Sequence, residues 1–371
     1  MNPTSKAKLL ANSISKRMYW EQQLKPLLKE NQFPVGVGVK NTLNKLYDAF
    51  EQSEVFAQKF ISIFSPYHEQ ALLAGDRTIK LYKLSESEFL SLQFSLLGCE
   101  ESKGVDREYF PFSVPDNELG ELGFQSALTK LCTYGEKTYL FISTCRRLVE
   151  KIEIDPKRHD GSKEVVDFLK QYKCLTAFTD KPRQYIDIVV LNPKDFTIEL
   201  RLDTSSAIAK KDIDGLFRDL QEAFLQYLSP RLDFCIFGST INFFPFIKDM
   251  YLDKNDLGRV VELSFATDGG YVHNDQKRTK GGDVRDGQFH QGGREKCDVY
   301  PYRISKRWVD SLSDELKSEY ELSLNSNVKE LSKPIGEGHL DHAVIAMCPT
   351  MDKFDEILER LKSKDELSKA V

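Results

Sequence analysis

No two cysteines in this chain are spaced to make a zinc knuckle or a redox CxxC pair. Cys99, Cys132, Cys145, Cys174, Cys235, Cys297 and Cys348 are scattered singly. That odd count without a framework argues against a disulfide scaffold and fits a reducing cytosol. No apolar run approaches the roughly 20 residues needed to span a bilayer. The N-terminus lacks a signal-peptide core, because Lys6, Lys8, Lys16 and Arg17 interrupt it. A cytoplasmic protein without membrane contact is expected. No GxGxxG follows a strand pattern and no GxxxxGKS/T occurs, which argues against Rossmann and P-loop domains. Gly238-Ser239 lacks the GxSxG elbow, and His339 and His342 lack the HExxH spacing. An excess of positive charge is also missing. The formal net charge is −5, so any nucleic-acid contact must sit on a local patch.

What is present begins with a glycine-rich, charge-dense stretch at 268–308. Gly269, Gly270, Gly281, Gly282, Gly287, Gly292 and Gly293 fall in it. Lys277, Arg278, Lys280, Arg285, Arg294 and Lys296 lie between them, with His273 and His290. Almost nothing there can be buried, so the segment reads as a long loop. Glycine lets backbone N–H groups approach an anion, and Lys and Arg neutralise phosphate. Six acids, Asp268, Asp275, Asp283, Asp286, Glu295 and Asp298, offset those bases. Only the exit is net basic: Arg303, Lys306 and Arg307 interleave with Tyr300, Tyr302 and Trp308. Rings stack on bases while cations hold the backbone. The expected nucleic-acid contacts are therefore Lys277, Arg278, Lys280, Arg285, Arg294, Tyr302, Arg303, Lys306, Arg307 and Trp308.

With 371 residues, two domains are expected. A helix-rich α+β half would cover 1–155. An α/β half carrying the 268–298 loop would cover 156–371. The polar cluster from Asp155 to Gly161 marks the boundary. Apolar spacing predicts helices over 5–30, 41–63, 119–134, 210–228 and 307–322. Strands are predicted at 77–83, 138–143, 148–154, 185–191, 197–202, 234–237, 258–266, 299–304 and 343–347. The pair at 185–202, joined by Asn192-Pro193-Lys194-Asp195, should form an antiparallel hairpin with the 210–228 helix packed across it. The fold class is α+β or mixed α/β, with a mixed sheet flanked by amphipathic helices.

The same hairpin carries Asp187, Glu199 and Arg201. It resembles the catalytic hairpin of PD-(D/E)xK nucleases. That resemblance implies two carboxylates holding a divalent metal, with the basic residue orienting water. Arg201 stands where lysine is expected, and no proline precedes Asp187. Histidines 273, 290, 339 and 342, with Asp341 and Cys297, are the remaining metal-ligand types. No cofactor is expected, and magnesium only under the nuclease reading.

The leading expectation is a non-catalytic protein that binds nucleic acid, or a nucleic-acid-handling partner, through 268–308. A metal-dependent nuclease is the alternative, and a scaffold subunit the third. Usage rich in Lys, Ile, Phe and Asn suggests a bacterial or phage-related role, antiviral defence included.

Overall fold

The computed structural model describes residues 1–123, 125–155, 162–169, 171–206, 212–254, 256–277, 281–334 and 336–368. Its centre is one ten-stranded sheet in the order β2-β3-β4-β5-β1-β10-β9-β8-β6-β7. The strands are β1 Arg77–Lys83, β2 Ala127–Tyr134, β3 Lys137–Ile154, β4 Leu175–Asn192 and β5 Thr197–Asp203. The rest are β6 Arg259–Thr267, β7 Val272–Gln276, β8 Val299–Ser311, β9 Lys317–Asn325 and β10 Ala343–Ala346. Every ladder is antiparallel, where the sequence pattern suggested a mixed sheet. Tight hairpins, which only antiparallel pairs can use, join β2 to β3, β4 to β5 and β8 to β9.

Alternation decides what covers each face. One face carries Ile79, Leu81, Leu263, Ile304, Leu322 and Ile345. Helices α9, Phe244–Leu252, and α11, Met351–Ser368, pack there through Ile247, Met250, Phe354 and Leu358. The other face carries Val189, Leu200 and Leu202. Helix α5, Glu86–Ser95, covers it with α8, Ile213–Leu225. Phe217 and Phe224 of α8 are buried there, as the apolar stripe over 210–228 implied.

The N-terminal helices form their own core. They are α1 Pro3–Ser15, α2 Lys25–Glu30, α3 Gly38–Gln52 and α4 Glu54–Leu73. Asn2 caps α1 by accepting from the Ser5 N–H at 2.8 Å. The helix expected over 41–63 is two, because Ser53 turns extended and caps α4. Phe33, Phe50, Phe56, Phe60 and Phe64 meet in tilted, edge-on and stacked pairs at their junction.

Three other expectations are corrected. Residues 119–134 are not a helix but one 3₁₀ turn, Leu119–Leu122, followed by β2. Gly135, at φ 60, turns the β2–β3 hairpin. Residues 307–322 are the β8–β9 hairpin, with Trp308 opposite Tyr320. Residues 234–237 have no ladder; Phe237 packs edge-on against Tyr82 and Phe224. The boundary proposed at 155/156 adjoins 156–161, which lie outside the described residues. On its two sides β3 and β4 pair from Thr138↔Leu191 to Ile154↔Leu175.

Strands β6 and β8 are neighbours, with Leu263↔Ile304 and Phe265↔Pro301 in register. Residues 268–298 therefore leave and return at one end of the sheet. Their described part is not a structureless loop. Gly270, at φ 76, turns the chain so that β7 pairs with β6 as the edge strand. A 3₁₀ turn, Val284–Asp286, and helix α10, Gln288–Arg294, follow. The other helices, α6 Val105–Tyr109 and α7 Lys163–Leu169, are short.

Candidate nucleic-acid interface

The basic exit of the glycine-rich segment is a set of internal ion pairs. Arg303 lies 2.9 Å from Glu262 on the neighbouring strand, and Arg307 lies 2.5 Å from Glu321 on the other. Lys306 is fully buried, 2.5 Å from Asp256, and donates to the Asp253 carbonyl. Burial alone would raise the Asp256 carboxyl; the bond from Lys306 outweighs it and holds that group below its usual range. Trp308 is buried too, donating from Nε1 to Asp256 at 3.1 Å and stacked on Tyr320. Gly258 permits that ring position: a Cβ there would lie 2.4 Å from the indole nitrogen. Arg285 forks onto Asp283 and caps the carbonyls of Tyr251 and Asp253. Tyr302 is half-buried. Arg278 and Lys280 lie outside the described residues. Lys277 is exposed, its ammonium turned against Gly282.

Three aromatic rings at this end of the molecule reach solvent beside its exposed polar side chains. Tyr271 is 71 % exposed, Phe289 84 % and Tyr300 44 %. Beside Tyr300 runs a groove of about 780 Å³ between α9, residues 294–301 and residues 330–338. Phe244, Tyr251, Tyr300 and Pro301 line it with Lys248, Arg294 and Lys333. Asp249, Asp298 and Glu330 share the rim, so its formal charge balances. Lys333 is held by Glu330 at 2.7 Å. Among the described residues, Lys248, Arg294 and Lys296 have no ion-pair partner. The Arg294 guanidinium sits 5.4 Å from the Tyr251 ring centre. His290 fastens α10 beneath this surface, bonding Asp275 at 3.1 Å and Tyr251 at 3.0 Å.

The structure does not bring Asp187 and Glu199 together. Val190 opposes Glu199 and Ile188 opposes Arg201, so both charged residues share the face of Ile188. Asp187, one residue off, projects from the opposite face. There it accepts from Arg146 and from the Asp203 N–H. Glu199 is sealed under α11 with Arg201 and Lys362, and Phe354 covers the guanidinium. Burial would raise the Glu199 carboxyl, but those cations pull it down to about 2. Arg201 thus neutralises a buried acid. Among the described residues no group of three His, Cys, Asp or Glu side chains could hold a metal. His342 bonds Asp341 at 2.8 Å, His339 lies beside Thr240, and His273 stacks on Phe265.

A second cavity, about 950 Å³, opens over the middle of the sheet and escaped the sequence reading. Residues 15–19 at the end of α1, Asp76 just before β1, Thr78 of β1, Arg183 of β4, residues 204–206 after β5, and Asn325 and His342 line it. Asp76 accepts from the Met347 N–H at 2.7 Å and from the Tyr19 hydroxyl. Burial drives its carboxyl up to about 6, against the lowering effect of those bonds. The Tyr19 hydroxyl is raised by burial and by Asp76. These residues are distant in sequence, and no local motif joins them.

The chain matches no protein-family model, and no curated protein resembles it in sequence.

Proposed function

We propose that this protein binds single-stranded nucleic acid on the face formed by β7, α10 and the groove beside α9. One observation carries the reading: Tyr271, Phe289 and Tyr300 expose their rings at this end of the sheet, and Tyr300 lines a groove edged by Lys248 and Arg294. Stacking on such rings is worth about 1–3 kcal/mol per base and tolerates any sequence. Because the rim charge balances, stacking dominates and few phosphates are neutralised. The contact lies on the surface of the 268–308 segment and the adjoining α9; the ion-paired cations of the segment's exit hold its strands in place. No catalytic step is required. The same balance of charge favours a second reading, a protein partner that itself handles nucleic acid.

Anisotropy titrations with short single- and double-stranded DNA and RNA across salt test this. The single-stranded forms should bind tighter, with a log–log salt slope no steeper than about −2, set by up to three phosphate contacts. No binding to any of them contradicts the first reading; co-purification of a nucleic-acid-binding protein that a Phe289→Ala variant loses would then support the second.

A further inference from the structure

The cavity over the middle of the sheet takes no part in the contact proposed above, and its chemistry differs. Arg183 projects into it from β4. Its Nη2 donates to the carbonyls of Lys16 and Ser205 and to the Ser205 hydroxyl, at 3.1–3.4 Å. Its Nε and Nη1 have no hydrogen-bond partner among the described residues, and no carboxylate there pairs with it. A guanidinium held at Nη2, with N–H groups on Nε and Nη1 still free to donate and no carboxylate beside it, is a cation that can take an oxyanion. Arg17, its neighbour on the wall, is already neutralised by Asp203 at 3.0 Å. Acceptors lie elsewhere on the lining. The side-chain oxygen of Asn325 is buried without a partner, an unmet bond that costs about 1–3 kcal/mol. Asp76 uses one carboxylate oxygen for Met347 and meets Tyr19.

We propose that this cavity binds a small molecule bearing an oxyanion, a phosphate or a carboxylate. The Arg183 guanidinium and the Ser205 hydroxyl hold the anion. Asn325 and Asp76 take the ligand's hydrogen-bond donors.

The placement of Asp76 gives the site a pH response. Around that carboxyl are Tyr19 from the turn after α1, Arg77 at the start of β1 and Asp203 of β5, with Arg17 and His342 on the lining. With its carboxyl at about 6, Asp76 is largely neutral at about pH 5 and charged at about pH 8. A charged Asp76 repels an anion, so affinity rises as pH falls through that range.

Titration calorimetry with sodium sulfate and with sodium succinate tests the proposal on the full chain. Sulfate stands for a phosphate group and keeps its charge between about pH 5 and about pH 8. At least one probe should give saturable binding. Sulfate alone assigns the phosphate class and succinate alone the carboxylate class. Arg183→Gln should weaken binding by about tenfold or more. If that variant does not fold, Arg183→Lys, which keeps the charge but loses the spread of guanidinium donors, should show a smaller loss. Asp76→Asn should give sulfate at about pH 8 the affinity that the unaltered protein shows at about pH 5, whereas His342→Gln should leave the pH response in place. A Tyr271→Ala, Phe289→Ala, Tyr300→Ala variant should bind the probe normally, which separates this site from the aromatic face. No saturable binding of either probe, or unchanged affinity in a folded Arg183 variant, overturns the proposal.

Discussion

The glycine-rich end of the sheet and the cavity at its middle invert what their sequences suggest. The first is dense in charge, and most of its described cations are consumed in place. Arg285, Arg303, Lys306 and Arg307 each hold an acid on an adjoining strand or turn. The second shows no cluster in sequence, yet Arg183, Asn325 and Asp76 converge there with bonding capacity to spare. Charge counted along a chain measures supply. What a partner can use is the remainder after folding has paired it. In an antiparallel sheet the pairing is efficient, because residues opposite one another lie about 5 Å apart on one face.

The comparison breaks most readily at Lys306. If its ammonium serves Asp256 and the Asp253 carbonyl, Lys306→Ala leaves a largely buried carboxylate short of its main cation. A loss of about 3–5 kcal/mol is expected in denaturant unfolding. A loss below about 1 kcal/mol would mean that the lysine is dispensable to the fold and available to a ligand.

Asp76 should behave oppositely. Its folded-state carboxyl lies above the ordinary range, so the folded chain holds that proton more tightly than the unfolded chain. Stability contributed by this group is present below about pH 4 and is lost as pH rises through about 6. Asp76→Asn removes the charge that burial disfavours. The variant should gain about 1–3 kcal/mol at pH 7 and little at pH 4, checked by unfolding at both. A destabilised variant at pH 7 would place Asp76 among the structural ion-pair residues instead.

Local pattern made part of this legible. The β4–β5 hairpin, α8 and the adjacency of β6 and β8 follow from turn residues and from apolar periods within one segment. The β8–β9 hairpin did not, because Trp308, Leu312 and Leu316 also fit helical spacing; the true period emerges only when Trp308 meets Tyr320 across the ladder. Asp187 and Glu199 were visible as candidates, but their faces depend on register, which the sequence does not state. The central cavity draws Tyr19, Asp76, Arg183, Asn325 and His342 from across the chain, so no window of sequence contains it.

The most direct test sets the two kinds of residue in one end of the sheet against each other. Affinity for a single-stranded oligonucleotide would be measured across salt for two folded variants. One replaces Tyr271, Phe289 and Tyr300 by Ala; the other replaces Arg303 and Arg307 by Ala. The rings should account for at least about tenfold in affinity with the salt slope kept, and the arginine pair should change neither. A normal affinity without the rings, together with a weaker and flatter salt dependence without Arg303 and Arg307, would contradict the account.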